Sequence, residues 1–330
     1  MHRFRRAILA AYLLVIFLVV HAGCDQTINP IIGENRPFTL WGYLDAKSDT
    51  QWVRVFAISS ELGVDRSGPI DAVVRSFDLE TGELQEWTAT KVEYADSTIG
   101  DVFFAAFRPA FDRKYRLEAI RSDGQTSSAE VTIPPEVRVE LVDERTRIQI
   151  PAVIHGKPPS LVQVQVVYDA ITLPPVNPWP PGSRTPEPVR IKVAVPYDNL
   201  IEPTPDGWKM EINQREDFSV VQNTFELNCL RTDLIALRRV ELRFLAADAQ
   251  WQPPEGSFDP NLLIEPAAFS NVENGFGYFG GGYVVSERWT PTETVMRTIG
   301  YRVNGPCPLM PVNIPECQVP PEPCLKGDGN

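Results

Sequence analysis

The sequence predicts an all-β protein, with an N-terminal immunoglobulin-like sandwich followed by a second antiparallel β-sandwich domain with little helix. Three observations support this fold class. The 330-residue chain contains 31 prolines and 21 glycines, too many helix breakers for a helical bundle. Short apolar runs recur between turn-forming residues, and several of them alternate polar with apolar side chains. At 43% hydrophobic residues, the chain can also bury a substantial core.

The chain begins with a basic segment, residues 1–6, followed by an uncharged apolar run, residues 7–20. This run is shorter than the roughly 20 residues that a membrane-spanning helix needs, so residues 1–23 are predicted to be a secretory signal peptide. Ala22, Gly23 and Cys24 resemble the end of a bacterial lipobox, with His21 in place of the usual Leu. We therefore expect Cys24 to carry the lipid and residues 24–36 to form a tether. The alternative is an ordinary signal peptide with a chance cysteine.

Residues 37–135 are predicted to form the immunoglobulin-like sandwich, because they contain seven short strand-like runs. The runs are 38–45, 52–59, 71–79, 86–94, 101–107, 114–120 and 127–133. Gly82 and Gly124 each follow a turn-forming residue between two runs, which predicts hairpins. Pro134 and Pro135 cannot continue a strand and predict a domain boundary near residue 135.

Residues 136–304 are predicted to form the second β-sandwich domain. Polar and apolar residues alternate in 161–168, 189–195 and 239–246, the pattern of an antiparallel sheet with one covered face. A helix is predicted at 229–237. Residues 174–188 contain seven prolines and are predicted to form a surface loop, the alternative being a rigid arm that presents Trp179.

Four cysteines remain after Cys24, and an exported protein is expected to pair them in two disulfides. Three of them lie in a Pro/Cys-rich tail, residues 305–330. We favour Cys229 with Cys307 and Cys317 with Cys324, while the other two pairings stay open. A four-thiolate zinc site would need closely spaced cysteine pairs, which this spacing lacks, so no metal is predicted.

Charge and motifs restrict the classes of function. The chain has 31 basic and 43 acidic residues, a net charge of −12, which argues against a nucleic-acid partner. The sequence lacks the motifs of serine hydrolases, zinc proteases, P-loop proteins and EF-hands, so we predict neither a cofactor nor catalysis. His155, the one histidine beyond the leader, is predicted to be a surface residue.

The alternative to a non-catalytic protein is an envelope polysaccharide hydrolase that uses paired carboxylates. Its first candidates are Glu226, Asp233, Asp248 and Glu273. For a binding protein, exposed aromatic side chains matter more, because they can stack on a glycan or peptide ligand. Of Trp179, Trp208, Trp251 and Trp289, we favour Trp179 and Trp251 as contact residues, since Pro-rich neighbours hold both on rigid loops.

The most distinctive segment is residues 269–285 (FSNVENGFGYFGGGYVV). It resembles a motif of a Bacteroidota envelope lipoprotein family that carries a domain of unknown function. The matching residues are Asn271, Gly275, Gly277, Tyr278 and Phe279. The resemblance extends to residues 42–45, to residues 129–134 and to the closely spaced terminal cysteines. From its glycines we predict that the motif is a tight structural turn that packs Phe276 and Phe279 into the core.

Members of this family are often encoded beside TonB-dependent outer-membrane transporters. The resemblance therefore implies a lipid-anchored accessory or binding protein at the cell envelope, on the periplasmic face of the outer membrane or at the cell surface. The expected partners are the membrane, through the lipid, and the transporter, with a glycan or peptide as a further ligand class. The tail departs from the family pattern, because it ends in LKGDGN rather than in an aromatic-rich segment.

Overall fold

The computed structural model describes residues 36–58, 68–93, 99–172, 188–228, 230, 234–251 and 270–303. Of these residues, 56% lie in strands and 10% in helices, which confirms the predicted all-β class. In these ranges, no helix has the length and apolar character needed to cross a membrane. The predictions for Cys24, Trp179, Asp233 and the disulfides fall outside the described residues. The disulfide prediction concerns Cys229, Cys307, Cys317 and Cys324, which all lie outside the described ranges.

The first half of the chain forms eight strands. They are β1 (Phe38–Asp45), β2 (Gln51–Ala57), β3 (Val73–Asp78), β4 (Leu84–Glu86), β5 (Thr88–Glu93), β6 (Ile99–Ala105), β7 (Lys114–Ile120) and β8 (Thr126–Thr132). Their neighbours run β1-β2-β6-β5 in one sheet and β8-β7-β3-β4 in another. This is the ABED and GFC arrangement of an immunoglobulin-type sandwich, with β4 as an additional strand beside C.

Both predicted hairpins are present. β3 pairs with β4 across a turn in which Gly82 has a φ of 73°. β7 pairs with β8 across a turn in which Gly124 has a φ of 86°. These positive angles suit glycine, so the turn chemistry of the sequence sets the register of both strand pairs.

The second half contains nine strands and two helices among the described residues. They are β9 (Arg138–Leu141), β10 (Gln149–His155), β11 (Ser160–Thr172), β12 (Arg190–Pro196), β13 (Glu202–Thr204), β14 (Gly207–Asn213), α1 (Gln214–Leu227), β15 (Ile235–Ala247), β16 (Val272–Glu273), β17 (Gly275–Trp289) and α2 (Glu293–Ile299). One sheet has the order β13-β14-β10-β9, and β12-β11-β15-β17 form half of a larger sheet. Their apolar faces and α1 share one hydrophobic core.

The helix predicted at 229–237 is wrong, because β15 already begins at Ile235. The helix lies earlier in the chain, as α1. Asn213 caps it by accepting a hydrogen bond from the Glu216 N–H. Its buried apolar residues are Phe218, Val221 and Phe225. This spacing places one apolar stripe against the sheet, and it is the signal that identifies the helix.

β17 joins the two halves of the molecule. Residues 275–282 pair with β1 in parallel, and residues 282–289 pair with β15 in antiparallel orientation. One eight-stranded sheet therefore runs through both predicted domains, in the order β12-β11-β15-β17-β1-β2-β6-β5. The predicted boundary at residue 135 divides the strands along the chain, but strands from both sides of it belong to this one sheet.

The segment around this boundary is part of the core. The Tyr283 hydroxyl donates to the carbonyl of Pro135 at 2.6 Å and accepts from the Val137 N–H at 2.8 Å. Ile133 and Val137 are buried on either side of these contacts. A buried side chain of β17 thus holds the connection between the two halves.

Candidate functional site

The first strand carries aromatic side chains on the face that points away from the core. Phe38, Leu40 and Leu44 are fully buried in the sandwich. Because side chains alternate along a strand, Trp41 and Tyr43 lie on the opposite side of the sheet. That side is the outer face of the eight-stranded sheet.

The neighbouring strands continue this pattern. In β2, Val53 and Val55 are buried, so Trp52 and Phe56 share the outer face with the β1 aromatics. Tyr43 is the register partner of Trp52, and Trp52 is the partner of Phe104 in β6. The rings of Trp52 and Phe104 are 5.2 Å apart.

β17 adds its own aromatics on the other side of β1. Tyr278 is the register partner of Trp41, and Phe276 is the partner of Thr39. We call the resulting surface the aromatic face. Its members are Trp41, Tyr43, Trp52, Phe56, Phe104, Phe276 and Tyr278.

The middle of the aromatic face is exposed, whereas Tyr278 at its edge is only 4% exposed. Tyr43 is 46% exposed and Trp52 is 47% exposed. Arginines lie over two of its rings, with Arg54 4.1 Å from the centre of Phe56 and Arg36 4.6 Å from the centre of Phe276. Large aromatics with arginine are the composition of the energetic centre of protein interfaces, whereas the outer face of a sandwich is usually polar.

The predicted tight turn is instead a strand, since four of the five matching residues lie in β17. Gly277 has a φ of 101°, and a Cβ there would lie 2.1 Å from the Leu40 carbonyl oxygen. The fifth residue, Asn271, hydrogen-bonds both the N–H and the carbonyl of Phe279, at 2.9 and 2.7 Å. These contacts keep β17 in register beside β1. The turn lies just before the strand, at Asn274, which has a φ of 48°.

The two predicted core phenylalanines lie on opposite faces. Phe279 is fully buried in the core, as the prediction requires. Phe276 is half-buried on the outer face, where Arg36 covers it. The two residues are an odd number of positions apart in one strand, and alternation therefore places them on different sides.

Trp251 belongs to the border of the aromatic face. Its ring packs edge-on against Tyr278, with the ring centres 5.6 Å apart. Tyr278 lies over Gly280, where a Cβ would come within 2.5 Å of the Tyr278 hydroxyl. Gly280 thus leaves room for the tyrosine ring. The structure thereby brings Trp251 together with the glycine-rich motif.

Asp248 fixes this corner of the sheet. Its carboxylate accepts hydrogen bonds from the Gly281 N–H at 2.5 Å and the Gln250 N–H at 2.8 Å, and the Tyr278 hydroxyl lies 3.4 Å away. Burial raises the pKa of Asp248, and the backbone donors oppose this shift only in part. Burial and the nearby Asp248 charge raise the pKa of Tyr278. The carboxyl group therefore joins the end of β15 to β17.

The other described residues considered for catalysis lie elsewhere. Glu226 is exposed on α1, and Glu273 is exposed and contacts the Ser128 hydroxyl at 3.3 Å. His155 lies at the end of β10, 3.2 Å from a carboxylate oxygen of Glu140. Within the described ranges, no group of three or more His, Cys, Asp or Glu residues is placed to hold a metal ion.

A second polar cluster lies in the core beneath α1. The Tyr168 and Tyr197 hydroxyls both donate to Asp217, at 2.5 and 2.8 Å. The Tyr197 hydroxyl also accepts from the Asn213 N–H at 3.0 Å. Burial raises the pKa of Asp217. These bonds tie the first turn of α1 to β11 and to the residue after β12.

Most of the aromatic face was not among the predicted contact residues. Trp208 is half-buried in β14 and Trp289 is buried at the end of β17, so neither belongs to the face. A signal was present in the sequence of β1 and β2, where the positions that alternate with the buried residues include four aromatics. In β7, by contrast, the outward positions are Lys114, Arg116 and Glu118.

Comparison with protein-family models finds no match to this chain, and a search of curated proteins finds none.

Proposed function

We propose that this protein is a non-catalytic, lipid-anchored cell-envelope protein that binds a partner protein through its aromatic face. The observation that carries the proposal is the half-exposed pair Tyr43 and Trp52, at the centre of an outer sheet face that is otherwise rich in aromatics. The partner that the family resemblance implies is a TonB-dependent outer-membrane transporter.

The shape of the face favours a protein over a small molecule. The aromatic side chains are spread over four neighbouring strands of one sheet, and strands are roughly 4.8 Å apart. Tyr43 and Trp52 at the centre are its most exposed members, and arginines lie over Phe56 and Phe276. Interfaces concentrate their binding energy in such central aromatic and arginine residues.

The test is gentle detergent extraction of tagged protein from native membranes, followed by identification of the proteins that co-purify in near-equal amount. We expect a transporter barrel with the wild-type protein. Replacing Tyr43 and Trp52 with alanine should reduce its recovery at least tenfold, since hot-spot residues contribute about 2 kcal/mol or more each. Leu79→Ala with Leu200→Ala is the matched control, because both leucines are exposed on other surfaces.

If the aromatic variant recovers the barrel as well as the control does, the aromatic face is not the contact. If the wild-type protein is recovered alone, the transporter is not the partner. Both variants must retain the wild-type unfolding temperature for this comparison.

Lipid attachment has its own test. Cys24→Ser combined with Tyr43→Ala and Trp52→Ala should give a folded protein that leaves the membrane fraction without detergent at about 0.5 M salt, because neither acyl chains nor the proposed protein and lipid contacts then hold it there. Retention of this variant in the membrane fraction would contradict attachment through Cys24.

The alternative is an envelope polysaccharide hydrolase, and the raised pKa of Asp248 is the one observation that favours it. Asp248 borders the aromatic face through the Tyr278 hydroxyl, which lies 3.4 Å from its carboxylate. If purified protein cleaves an envelope polysaccharide and Asp248→Asn abolishes the cleavage without unfolding the protein, this alternative replaces the binding function.

A further inference from the structure

We infer that a second part of the same sheet, the outer face of β12, β11, β15 and the end of β17, docks on an anionic lipid surface. We call it the basic face. Its cations are Arg190, Lys192, Arg238, Arg239, Arg243 and Arg288.

The strand pattern places these side chains on one side. In β15, Val240, Leu242 and Phe244 are buried, so Arg239 and Arg243 point away from the core. A register shift between β11 and β15 follows Asp169. The extra residue at this bulge is Arg238, which is exposed and contributes to lowering the pKa of Asp169.

The neighbouring strands carry the other cations. Asp169 is the register partner of both Lys192 in β12 and Arg239 in β15. In β17, Arg288 is the partner of Glu241. The side chains of Lys192, Arg243 and Arg288 are exposed.

The charge on this face is opposite to that of the chain as a whole. Its two carboxylates are already paired, Asp169 with Arg190 at 2.7 and 2.5 Å and Glu241 with Arg288 at 3.1 Å. Among the described residues, Lys192 and Arg243 form no ion pair. Six cations against two carboxylates give a positive face on a protein of net charge −12.

The spacing of the cations fits a planar array of anions. Arg239 and Arg243 are four residues apart on one strand, roughly 13 Å, and Lys192 lies two strands from Arg239, roughly 10 Å. At these backbone spacings, the cations can each contact a separate anion. Lipid headgroups present many phosphates in a plane, and each basic residue near an anionic surface contributes about 1 kcal/mol.

This inference rests on the proposed function, because the lipid at Cys24 would bring the body to the membrane. One acyl anchor and one basic surface are two independent membrane signals, which together give stable and oriented attachment. A sheet twists by roughly 20–25° per strand, and the middle of the basic face lies about three strands from the middle of the aromatic face. With the basic face on the lipid, the aromatic face is turned toward a partner in the membrane plane.

The test uses full-length Cys24→Ser protein, which carries no lipid, and co-sedimentation with vesicles. Vesicles of phosphatidylcholine with about 30% phosphatidylglycerol are compared with pure phosphatidylcholine at low salt and at about 0.5 M salt. We expect binding to the anionic vesicles at low salt only, despite the negative charge of the protein.

Adding Lys192→Glu and Arg243→Glu should weaken this binding at least tenfold. The matched control adds Lys157→Glu and Arg297→Glu, which makes the same change in net charge at exposed positions outside the basic face. The control should bind as the parent does, and thermal unfolding checks that both variants remain folded.

Three results would overturn the inference. They are the absence of binding to anionic vesicles, equal binding to neutral vesicles, and equal loss in the control variant. If anionic vesicles do not bind and the Lys192/Arg243 variant loses the transporter from native extracts, the basic face instead contacts an acidic protein. The aromatic variant tests the proposed function separately, because it should lose the transporter and still bind anionic vesicles.

Discussion

At the scale of single residues, the glycines of β17 are required by the close packing of β1 and β8. Gly277 has a positive φ of 101°, and a Cβ on this residue would overlap the backbone oxygen of Leu40. A Cβ on Gly281 would lie 2.8 Å from the Val131 side chain and 3.0 Å from the Thr132 carbonyl oxygen, both in β8. Side chains at either position would push β17 away from its neighbours.

Gly277→Ala should therefore destabilise the protein by about 3 kcal/mol or more, since strain and steric overlap add at this site. Gly82→Ala tests strain alone, because Gly82 has a φ of 73° and open space around it, and should cost about 1 kcal/mol. Gly68→Ala, which has neither feature, should change stability by less than about 0.5 kcal/mol. Urea unfolding measures all three. Equal effects at Gly277 and Gly68 would contradict the pairing of β17 with β1.

Two buried carboxylates should give opposite pH dependences. Burial raises the pKa of Asp217, so its stabilising contribution is complete below the unfolded-state pKa of about 3.9 and is lost as pH rises through the folded-state value. Arg190 lowers the pKa of Asp169, and the contribution of Asp169 is lost as pH falls through its folded-state value.

The measurement is the free energy of unfolding of wild type minus that of each asparagine variant, as a function of pH. Relative to Asp217→Asn, the wild type should become less stable above about pH 4. Relative to Asp169→Asn, it should become less stable below about pH 4. If the stability difference from Asp217→Asn does not fall above about pH 4, the cluster beneath α1 is not as described. If the difference from Asp169→Asn does not fall below about pH 4, the Asp169–Arg190 pair is not as described.

At the scale of elements, the sequence predicts the features that depend on residues close together along the chain. Alternating side chains and turn glycines identify seven of the first eight strands and both hairpins, at Gly82 and Gly124. β4 is missed because it has three residues, too few to show a period. The glycine-rich motif is conspicuous in sequence, but its parallel pairing connects Gly275 with Phe38, near the other end of the described chain. No local pattern encodes such a contact.

The shared strand predicts how a fragment behaves. Residues 37–135 alone would lack β17, which leaves the edge of β1 unpaired and uncovers Phe38 and Leu40. We expect this fragment to unfold at lower urea concentration than the full chain or to self-associate. Size-exclusion chromatography and urea unfolding test this. A monomeric fragment as stable as the full chain would support an independent domain that ends at residue 135.

At the scale of the whole molecule, average composition conceals the distribution of side chains. A net charge of −12 predicts repulsion from anionic lipid, yet one half of the large sheet has a positive outer face. Trp41, Trp52 and Phe104 come from three strands that are separated in sequence, so their common surface follows from the sheet order β1-β2-β6. The sequence predicts the class of the fold, whereas both candidate surfaces arise from which strands become neighbours.

A partner that covers the aromatic face in the cell envelope should protect its side chains from oxidation, which side-chain oxidation footprinting measures. The oxidation rates of Tyr43 and Trp52 are compared between native membranes and purified lipid-free Cys24→Ser protein, with half-buried Trp208 as the internal reference. We expect Tyr43 and Trp52 to be oxidised several times more slowly in membranes, while the rate of Trp208 is unchanged. Equal rates for Tyr43 and Trp52 in the two samples would contradict it.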